Sequence, residues 1–432
     1  MNYRIMPPEE MIEATILLPL SKSVANRLLI INALTPGAPA VPADMIPDSD
    51  DSRIMADSLA AIARSNGHID LNIGAAGTAF RFLTALCAAT PGLSATLDGT
   101  PRLRRRPIAP LVDALRTLGA DITYMEEEGF APLSIRGTKL KGGVISINPA
   151  ISSQFISALM MTAPVMESPL TVDFNGEEPV SRPYIRMTAA RIERAGVEVD
   201  LTPTSVTVAN TGYRPVDPYC ERDWSAASYW YSISAISAGF VTLPGLSTES
   251  MQGDRRVARL YEMLGVMTEP SEDVDNALDL VPSPEQFSRF EEDLSDNPDV
   301  AQTIAVTAAM LGIPFHLRGL STLRAKETDR LAAMKAELDK FGIIVEIRND
   351  SELVWNGERH PLFAIPEVDT YADHRMAMAF APAAIFVPGL VINDIEVVSK
   401  SYPAFWDDMR AAGFILTDAS IPLPDPEEGD EE

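Results

Sequence analysis

Leu115-Arg116-Thr117-Leu118-Gly119-Ala120-Asp121-Ile122 reads as the end of an amphipathic helix, a glycine, and the start of an alternating strand. A helix C-terminus favours a left-handed residue, a conformation glycine adopts without a Cβ clash. The same phrase returns around Gly67 (Ile62 to Ile69), Gly196 (Ile192 to Val199), Gly265 (Leu260 to Met267), Gly342 (Leu338 to Val345) and Gly413 (Asp408 to Ile415). Successive glycines stand about 50 to 80 residues apart, too far for a solenoid repeat and right for a small α/β unit used six times. Helix-glycine-strand is also the ordinary way an α/β chain reverses, so it is the regular spacing that favours related units.

A chain of 432 residues is too long for one ordinary core, and three units on each side of a boundary make two domains. The boundary falls at Arg214 to Asp223, where Pro215, Asp217 and Pro218 interrupt the periodicity. The acidic, proline-bearing segment Glu269 to Asp299 reads as surface connection with one strand at Ala277 to Val281.

The net charge of −26 argues against nucleic acid or an anionic membrane as partner, because the long-range field repels polyanions. No apolar run reaches the roughly 20 residues of a membrane span, and the start lacks a signal peptide's apolar core, so the expected location is the cytoplasm. Part of the acidity lies in Asp425 to Glu432, which has nothing to bury; residues 421–432 are expected to be a disordered tail. Four scattered histidines make no metal constellation, Cys87 reads as a core residue, and Cys220 precedes Glu221-Arg222-Asp223 without redox or metal spacing.

Against that acidity, clustered cations stand out. In Leu17-Leu18-Pro19-Leu20-Ser21-Lys22-Ser23-Val24-Ala25-Asn26-Arg27 an apolar strand over Ile16 to Leu18 is stopped by Pro19, and Ser21 or Ser23 caps a helix running to Leu34. Free backbone N–H groups at such a start attract anions, and Lys22 and Arg27 add formal charge. Gly74-Ala75-Ala76-Gly77-Thr78 is a small-residue turn before an apolar helix; Arg102, Arg104, Arg105 and Arg106 precede Pro107, a helix starter. Ser152-Ser153-Gln154 and Ser181-Arg182-Pro183-Tyr184 place hydroxyls at two further helix starts. In the second half Asp299 opens a helix from Val300 to Leu311, either as an N-cap or as a site group. Lys326, Glu327 and Arg330 gather at another helix entrance, Asp373-His374-Arg375 at a third, and Lys400 precedes Tyr402-Pro403. Cations at one helix start after another describe a cleft that holds two or more anionic groups.

These motifs, in this order, resemble the 3-phosphoshikimate 1-carboxyvinyltransferase (5-enolpyruvylshikimate-3-phosphate synthase) family of enolpyruvyl transferases over nearly the whole chain apart from the acidic tail. Lys326-Glu327-Thr328-Asp329-Arg330 and Asp373-His374-Arg375-Met376-Ala377 are its most specific strings; Ser21-Lys22-Ser23, Ala76-Gly77-Thr78-Ala79 with Arg81, Arg106-Pro107, Ser152-Ser153-Gln154, Ser181 with Tyr184, and Lys400 corroborate them. The resemblance implies an α/β fold of two globular domains, each built of three βαβαββ units, with the active site in the interdomain cleft. It also implies that the N-terminal strand packs in the second domain, giving residues 21–221 as the first domain and 1–20 with 222–420 as the second.

The implied reaction moves the carboxyvinyl group of phosphoenolpyruvate to the 5-hydroxyl of shikimate 3-phosphate, with release of phosphate, in the route to chorismate and the aromatic amino acids. The resemblance gives catalytic roles to Lys22, Asp299 and Glu327, with Asp299 at the hydroxyl and Glu327 near the methylene. It assigns Ser23, Arg27, Ser152, Ser153, Gln154, Ser181, Tyr184 and Lys326, with Lys22 and Asp299, to shikimate 3-phosphate. Gly77, Arg106, Gln154, Arg330, Arg375 and Lys400, with Lys22, are assigned to phosphoenolpyruvate. No metal or organic cofactor is implied, and a monomer is expected. Three positions depart from the family: Leu20 stands where glycine is usual, Ala75 where asparagine is usual, and Thr322 where asparagine often contacts the phosphorylated substrate. None removes a charge. The alternatives are the related transferase acting on UDP-N-acetylglucosamine, which carries a reactive cysteine on a mobile loop, and a noncatalytic phosphometabolite-binding relative. RNA 3′-end cyclases, distantly similar in fold, fit poorly with the net charge.

Overall fold

The computed structural model describes residues 1–421 apart from positions 149 and 151, so nearly all of the foreseen acidic tail lies outside the described residues. Twenty strands combine into five four-stranded sheets. In His68–Asn72, Ser94–Asp98, Leu133–Arg136 and Asp121–Tyr124, taken in spatial order, the first pair is parallel and the next two pairs antiparallel. The other four sheets repeat that plan. In the last, the third place between Leu390–Ile392 and Ile415–Asp418 is taken by the N-terminal strand Tyr3–Met6, with Tyr3 opposite both Ile392 and Asp418. Glu13–Thr15 likewise forms the parallel edge of a sheet with Phe240–Pro244.

Five of the six glycine phrases take one form. Gly119, Gly196, Gly265, Gly342 and Gly413 have φ of 96°, 83°, 89°, 76° and 94°, and each leads into the outermost antiparallel strand of its sheet. Gly67 differs. It is not left-handed and leads into His68–Asn72, the parallel edge of a sheet, so the first phrase is a different joint from the others. Among the described residues, the helices Lys22–Ala33 and Asp50–Arg64 before it come without a four-stranded sheet of their own.

The buried apolar side chains divide into two large clusters, one drawn from residues 29–213, the other from 224–414 together with Ile5, Ile12, Ile16 and Leu18. At the centre of each lie helices that are apolar nearly all round, as only an internal helix can be: Gly77–Ala88 and Ser153–Thr162 in the first, Trp224–Ser237, Ala301–Met310 and His374–Phe380 in the second. Truncating a wholly enclosed side chain such as Trp230 costs about 3–5 kcal/mol. Four of these five helices begin within two residues of Gly77, Ser153, Asp299 and Asp373, so the packing that makes each core also fixes those residues.

The chain passes between the two clusters at two adjacent strands. Leu20 bridges Arg222, Ser21 N donates to Glu221 O at 2.8 Å, and Asp223 N donates to Pro19 O at 3.0 Å. A small cluster of Val24, Ala25, Met187 and Cys220 packs beside this joint.

Two sequence expectations need correction. The strand expected over Ile16 to Leu18 lies at Glu13–Thr15; Ile16 adds one further backbone bond to Thr242 O, and Leu18 is buried outside the ladder. The segment Glu269 to Asp299 is also more ordered than a surface connection. Ala277–Pro282 is an interior strand, and the acidic run Phe290–Asp293 is a parallel edge strand anchored by buried Phe290. Glu291 and Asp293 face outward, where an edge strand tolerates charge, while Glu292 on the Phe290 face pairs with Arg256, which is why the alternation was hidden.

Candidate active site

Asp299, Glu327 and Arg330 form the middle of a buried ion-pair network. Arg330 is 1% exposed and reaches three carboxylates: Nη1 to Asp299 Oδ1 at 2.8 Å, Nη2 to Glu327 Oε2 at 2.8 Å, and Nε to Asp373 Oδ2 at 2.7 Å. The planar guanidinium fork makes this possible, where a lysine would serve as a single point charge. Glu327 also takes Lys400 Nζ at 2.7 Å, and Arg106 Nη1 from the other core lies 3.8 Å away. Asp299 meets Lys326 Nζ at 3.3 Å and Arg375 Nη2 at 3.6 Å, while Arg375 Nη1 donates to the Asp299 backbone carbonyl at 2.9 Å.

Burial alone would raise both carboxyl groups, but the surrounding cations outweigh it. Lys326, Arg375 and Arg330 hold Asp299 well below the usual carboxylate range, and Lys400, Arg330 and Arg106 do the same for Glu327. Both are therefore ionised at neutral pH. Burial lowers Lys326 in turn, against the pull of Asp299. His374 is 2% exposed, with neither ring nitrogen partnered among the described residues; burial, then Lys22 and Arg375, push it far down, so its ring is neutral.

On the opposite wall Lys22 Nζ pairs with Asp51 Oδ2 at 3.0 Å. Arg81 Nη1 donates to Gln154 Oε1 at 2.9 Å and to Gly77 O at 3.2 Å, and Gln154 Nε2 donates to Thr78 Oγ1 at 3.1 Å. A Cβ on Gly77 would lie 2.4 Å from Arg106 Nη1, so any side chain there displaces that guanidinium. Tyr184 Oη stands 3.5 Å from both Asp299 and Asp254, so it spans the two cores.

The family whose sequence pattern matches is EPSP synthase (3-phosphoshikimate 1-carboxyvinyltransferase), over residues 7–409. The chain belongs to the EPSP synthase family. It is 46% identical over 416 residues to a 3-phosphoshikimate 1-carboxyvinyltransferase of Bacteroides fragilis (strain YCH46), covering 96% of this chain and 98% of that protein. It is 36% identical over 435 residues to that of Shewanella pealeana, covering 95% and 99%. Among solved structures, an EPSP synthase from Acinetobacter baumannii superposes with a TM-score of 0.74 at 20% identity, over 96% of this chain and all of that one. That likeness bears on the fold.

In this EPSP synthase family member, Arg106, Glu327, Arg330, Asp299, Lys326, Arg375, Lys400 and Tyr184 are in one connected set, and Gly77, Gln154 and Lys22 line the facing wall. Ser23, Ser152, Ser153 and Ser181 stand at helix starts with their hydroxyls outside the ion-pair chain; Ser152 accepts from Gln154 N at 3.3 Å as an N-cap. Arg27 is placed differently from an open ligand group. It is 2% exposed and donates to Thr188 Oγ1 at 2.7 Å, Ser23 O at 2.8 Å and Ser157 Oγ at 3.1 Å. The N-cap reading of Asp299 fails, because its carboxylate accepts no helix N–H and the residue sits in the 3-10 turn Pro298–Val300.

Four participants were given no role by the sequence, although Asp373 and Arg102 stand in motifs named there. Asp373 caps the helix His374–Phe380 and holds Arg330; Asp51 holds Lys22; Asp254 receives Ser225 and Asn297; Arg102 crosses the cleft. Asp373 had a signal, since an aspartate before an apolar helix is an N-cap candidate. Asp51 had none, because only folding brings it to Lys22.

Proposed function

We propose that this protein transfers the enolpyruvyl group of phosphoenolpyruvate to the 5-hydroxyl of shikimate 3-phosphate, releasing phosphate, as a step of aromatic amino acid biosynthesis. The observation that carries this reading is the buried chain Arg106, Glu327, Arg330, Asp299, which crosses from one core to the other with Lys400, Lys326 and Arg375 around it. Two carboxylates inside five cations suit the transfer of protons between two polyanionic substrates.

In the addition step the 5-hydroxyl oxygen bonds to C2 of phosphoenolpyruvate, the hydroxyl proton leaves, and the methylene carbon C3 gains a proton. In the elimination step C3 loses a proton and the C2–O bond to phosphate breaks. Asp299, ionised, is in the form needed to take the hydroxyl proton. Glu327 is anionic while Lys400, Arg330 and Arg106 face it; a phosphate and a carboxylate arriving among those cations share their charge and raise the affinity of Glu327 for a proton. Lys22 reaches toward both substrates and is the other candidate for either transfer. Arg106, Arg330, Arg375, Lys400, Gln154 and the backbone at Gly77 bind phosphoenolpyruvate; Ser23, Arg27, Ser152, Ser153, Ser181, Tyr184 and Lys326 bind shikimate 3-phosphate. Arg27, enclosed as it is, would offer at most an edge of its guanidinium.

The functional division follows the two clusters: residues 21–221 form one domain, and 1–20 with 222–420 the other, with the cleft between them. A monomer in the cytoplasm fits a chain in which no described helix is long and apolar enough to cross a membrane. Both cysteines are buried, with Cys87 and Cys220 pushed up to about 12 chiefly by burial, so neither resembles the reactive loop cysteine of the UDP-N-acetylglucosamine transferase.

A thermal-shift and phosphate-release assay tests the reading. Shikimate 3-phosphate should raise the melting temperature, and adding phosphoenolpyruvate should release phosphate. Stabilisation and phosphate release with UDP-N-acetylglucosamine instead would replace this function with the alternative.

A further inference from the structure

The loop 99–106 carries two guanidinium groups across the cleft, and the reaction above uses only Arg106. Its base is rigid. Thr100 N donates to Gly74 O at 2.9 Å, a Cβ on Gly99 would meet that same carbonyl at 2.3 Å, and Leu103 is wholly buried. From this base Arg102 reaches the other core, with Nη1 donating to Ala372 O at 2.8 Å and Nη2 to Tyr371 O at 3.4 Å. Among the described residues it pairs with no carboxylate.

The segment it grips is strained. Tyr371 and Ala372 have φ of 53° and 52°, two consecutive side-chain-bearing residues in the left-handed region. Such a turn persists only where its surroundings over-determine it. Three restraints meet there: the backbone bond from Asp373 N to Thr370 O at 2.8 Å, Tyr371 Oη donating to buried Glu337 at 2.7 Å, and Arg102 on the two carbonyls. The next residue is Asp373, fully buried, which accepts from Arg330 Nε and Nη2 and from Arg375 N. The orientation of the turn therefore sets Asp373, and Asp373 sets both arginines that flank Asp299.

We propose that Arg102 is a positioning residue: it clasps the carbonyls of Tyr371 and Ala372 and so aligns Arg330 and Arg375 on phosphoenolpyruvate. This rests on the reading of those two arginines as phosphoenolpyruvate ligands. The single loop thus brings Arg106 to Glu327 and holds the turn behind Arg330. Shikimate 3-phosphate, held at other helix starts, should scarcely feel the clasp.

The experiment compares Arg102→Ala, Arg102→Lys and, as a control, Arg105→Ala, an exposed arginine of the same loop without an ion pair among the described residues. Arg102→Ala should lower kcat/KM for phosphoenolpyruvate by roughly 10- to 100-fold, the value of charge-assisted hydrogen bonds, and leave shikimate 3-phosphate affinity within about twofold. Arg102→Lys, able to reach one carbonyl, should recover part of the loss, and Arg105→Ala should match the parent. Amide hydrogen exchange at residues 373–376 should quicken in Arg102→Ala even without ligands. Parent-like kcat/KM and exchange in Arg102→Ala, or an equal loss in Arg105→Ala, would overturn the proposal. If the parent itself does not turn over these substrates, the proposed function fails, and the exchange comparison still decides whether Arg102 pins the turn. Should Arg102→Ala not fold, Arg102→Lys and Arg102→Gln carry the same comparison.

Discussion

Lys400 Nζ lies 2.7 Å from Glu327 Oε1, a nearly enclosed ion pair between residues 73 apart in the chain. Glu327 also belongs to a larger set, shared with Arg330 and approached by Arg106. Exchanging Glu327 for glutamine keeps the shape and one acceptor, sets an NH2 donor against the other cation, and removes the charge and the ability to carry a proton to carbon. Turnover by Glu327→Gln should fall about 100-fold or more, with shikimate 3-phosphate still stabilising the fold. Steady-state kinetics beside a thermal shift check this; near-parent turnover would remove Glu327 from the chemistry.

The same cations give a pH dependence with a definite sign. Asp299 and Glu327 have folded pKa values well below their unfolded ones, which lie at about 4. The stability they contribute is fully present above about pH 4 to 5 and is lost as pH falls through the folded values. Asp223 and Asp254 run the other way, because burial first of all raises them, so the total curve mixes both signs. Subtraction isolates the first pair. The parent's stability advantage over Glu327→Gln should be constant from about pH 5 to 7 and shrink below pH 4, read from melting temperatures. An advantage that grows on acidification would contradict the depressed carboxyl.

Much of this arrangement was legible in the chain. Cations and hydroxyls before apolar runs marked the helix starts correctly, because capping and dipole effects are local and leave a local record. Five of six glycine phrases found the same joint for the same reason. What stayed hidden is the long-range part. Gly67 looked like its counterparts because helix-glycine-strand does not say which edge of a sheet the strand will take. Asp51 gave no signal and Arg102 stood out only as one of four arginines, since their partners Lys22 and Ala372 come to them only through packing. Asp299 was ambiguous between cap and site group until its carboxylate was seen turned away from the helix N–H groups.

Gly77 offers a steric test at the facing wall. An added Cβ would lie 2.4 Å from Arg106 Nη1 and 2.9 Å from Arg81 Nη1, too close for any real contact. The helix itself tolerates alanine, so the backbone should stay and the guanidinium groups should shift. Gly77→Ala is expected to raise KM for phosphoenolpyruvate about 10-fold or more through displaced Arg106, with little change in melting temperature. An unchanged KM would show that Arg106 does not need this position to hold its ligand.

Asp299→Asn separates a structural carboxylate from a catalytic one. Asn297, not Asp299, is the residue before the 3-10 turn Pro298–Val300, and Asp299 caps nothing, so loss of a cap does not enter the comparison. What asparagine removes is a negative charge among Lys326, Arg330 and Arg375, while its carbonyl keeps one hydrogen bond. The stability change should be destabilising by about 1–3 kcal/mol, the value of a hydrogen bond to a charged partner. Shikimate 3-phosphate brings anionic groups of its own and should still bind. Turnover should nevertheless drop by roughly 100-fold or more, because an amide cannot accept the hydroxyl proton. If Asp299→Asn folds, binds and turns over at nearly the parent rate, the base lies elsewhere, and Lys22, paired with Asp51 on the opposite wall, takes its place as the group to change next.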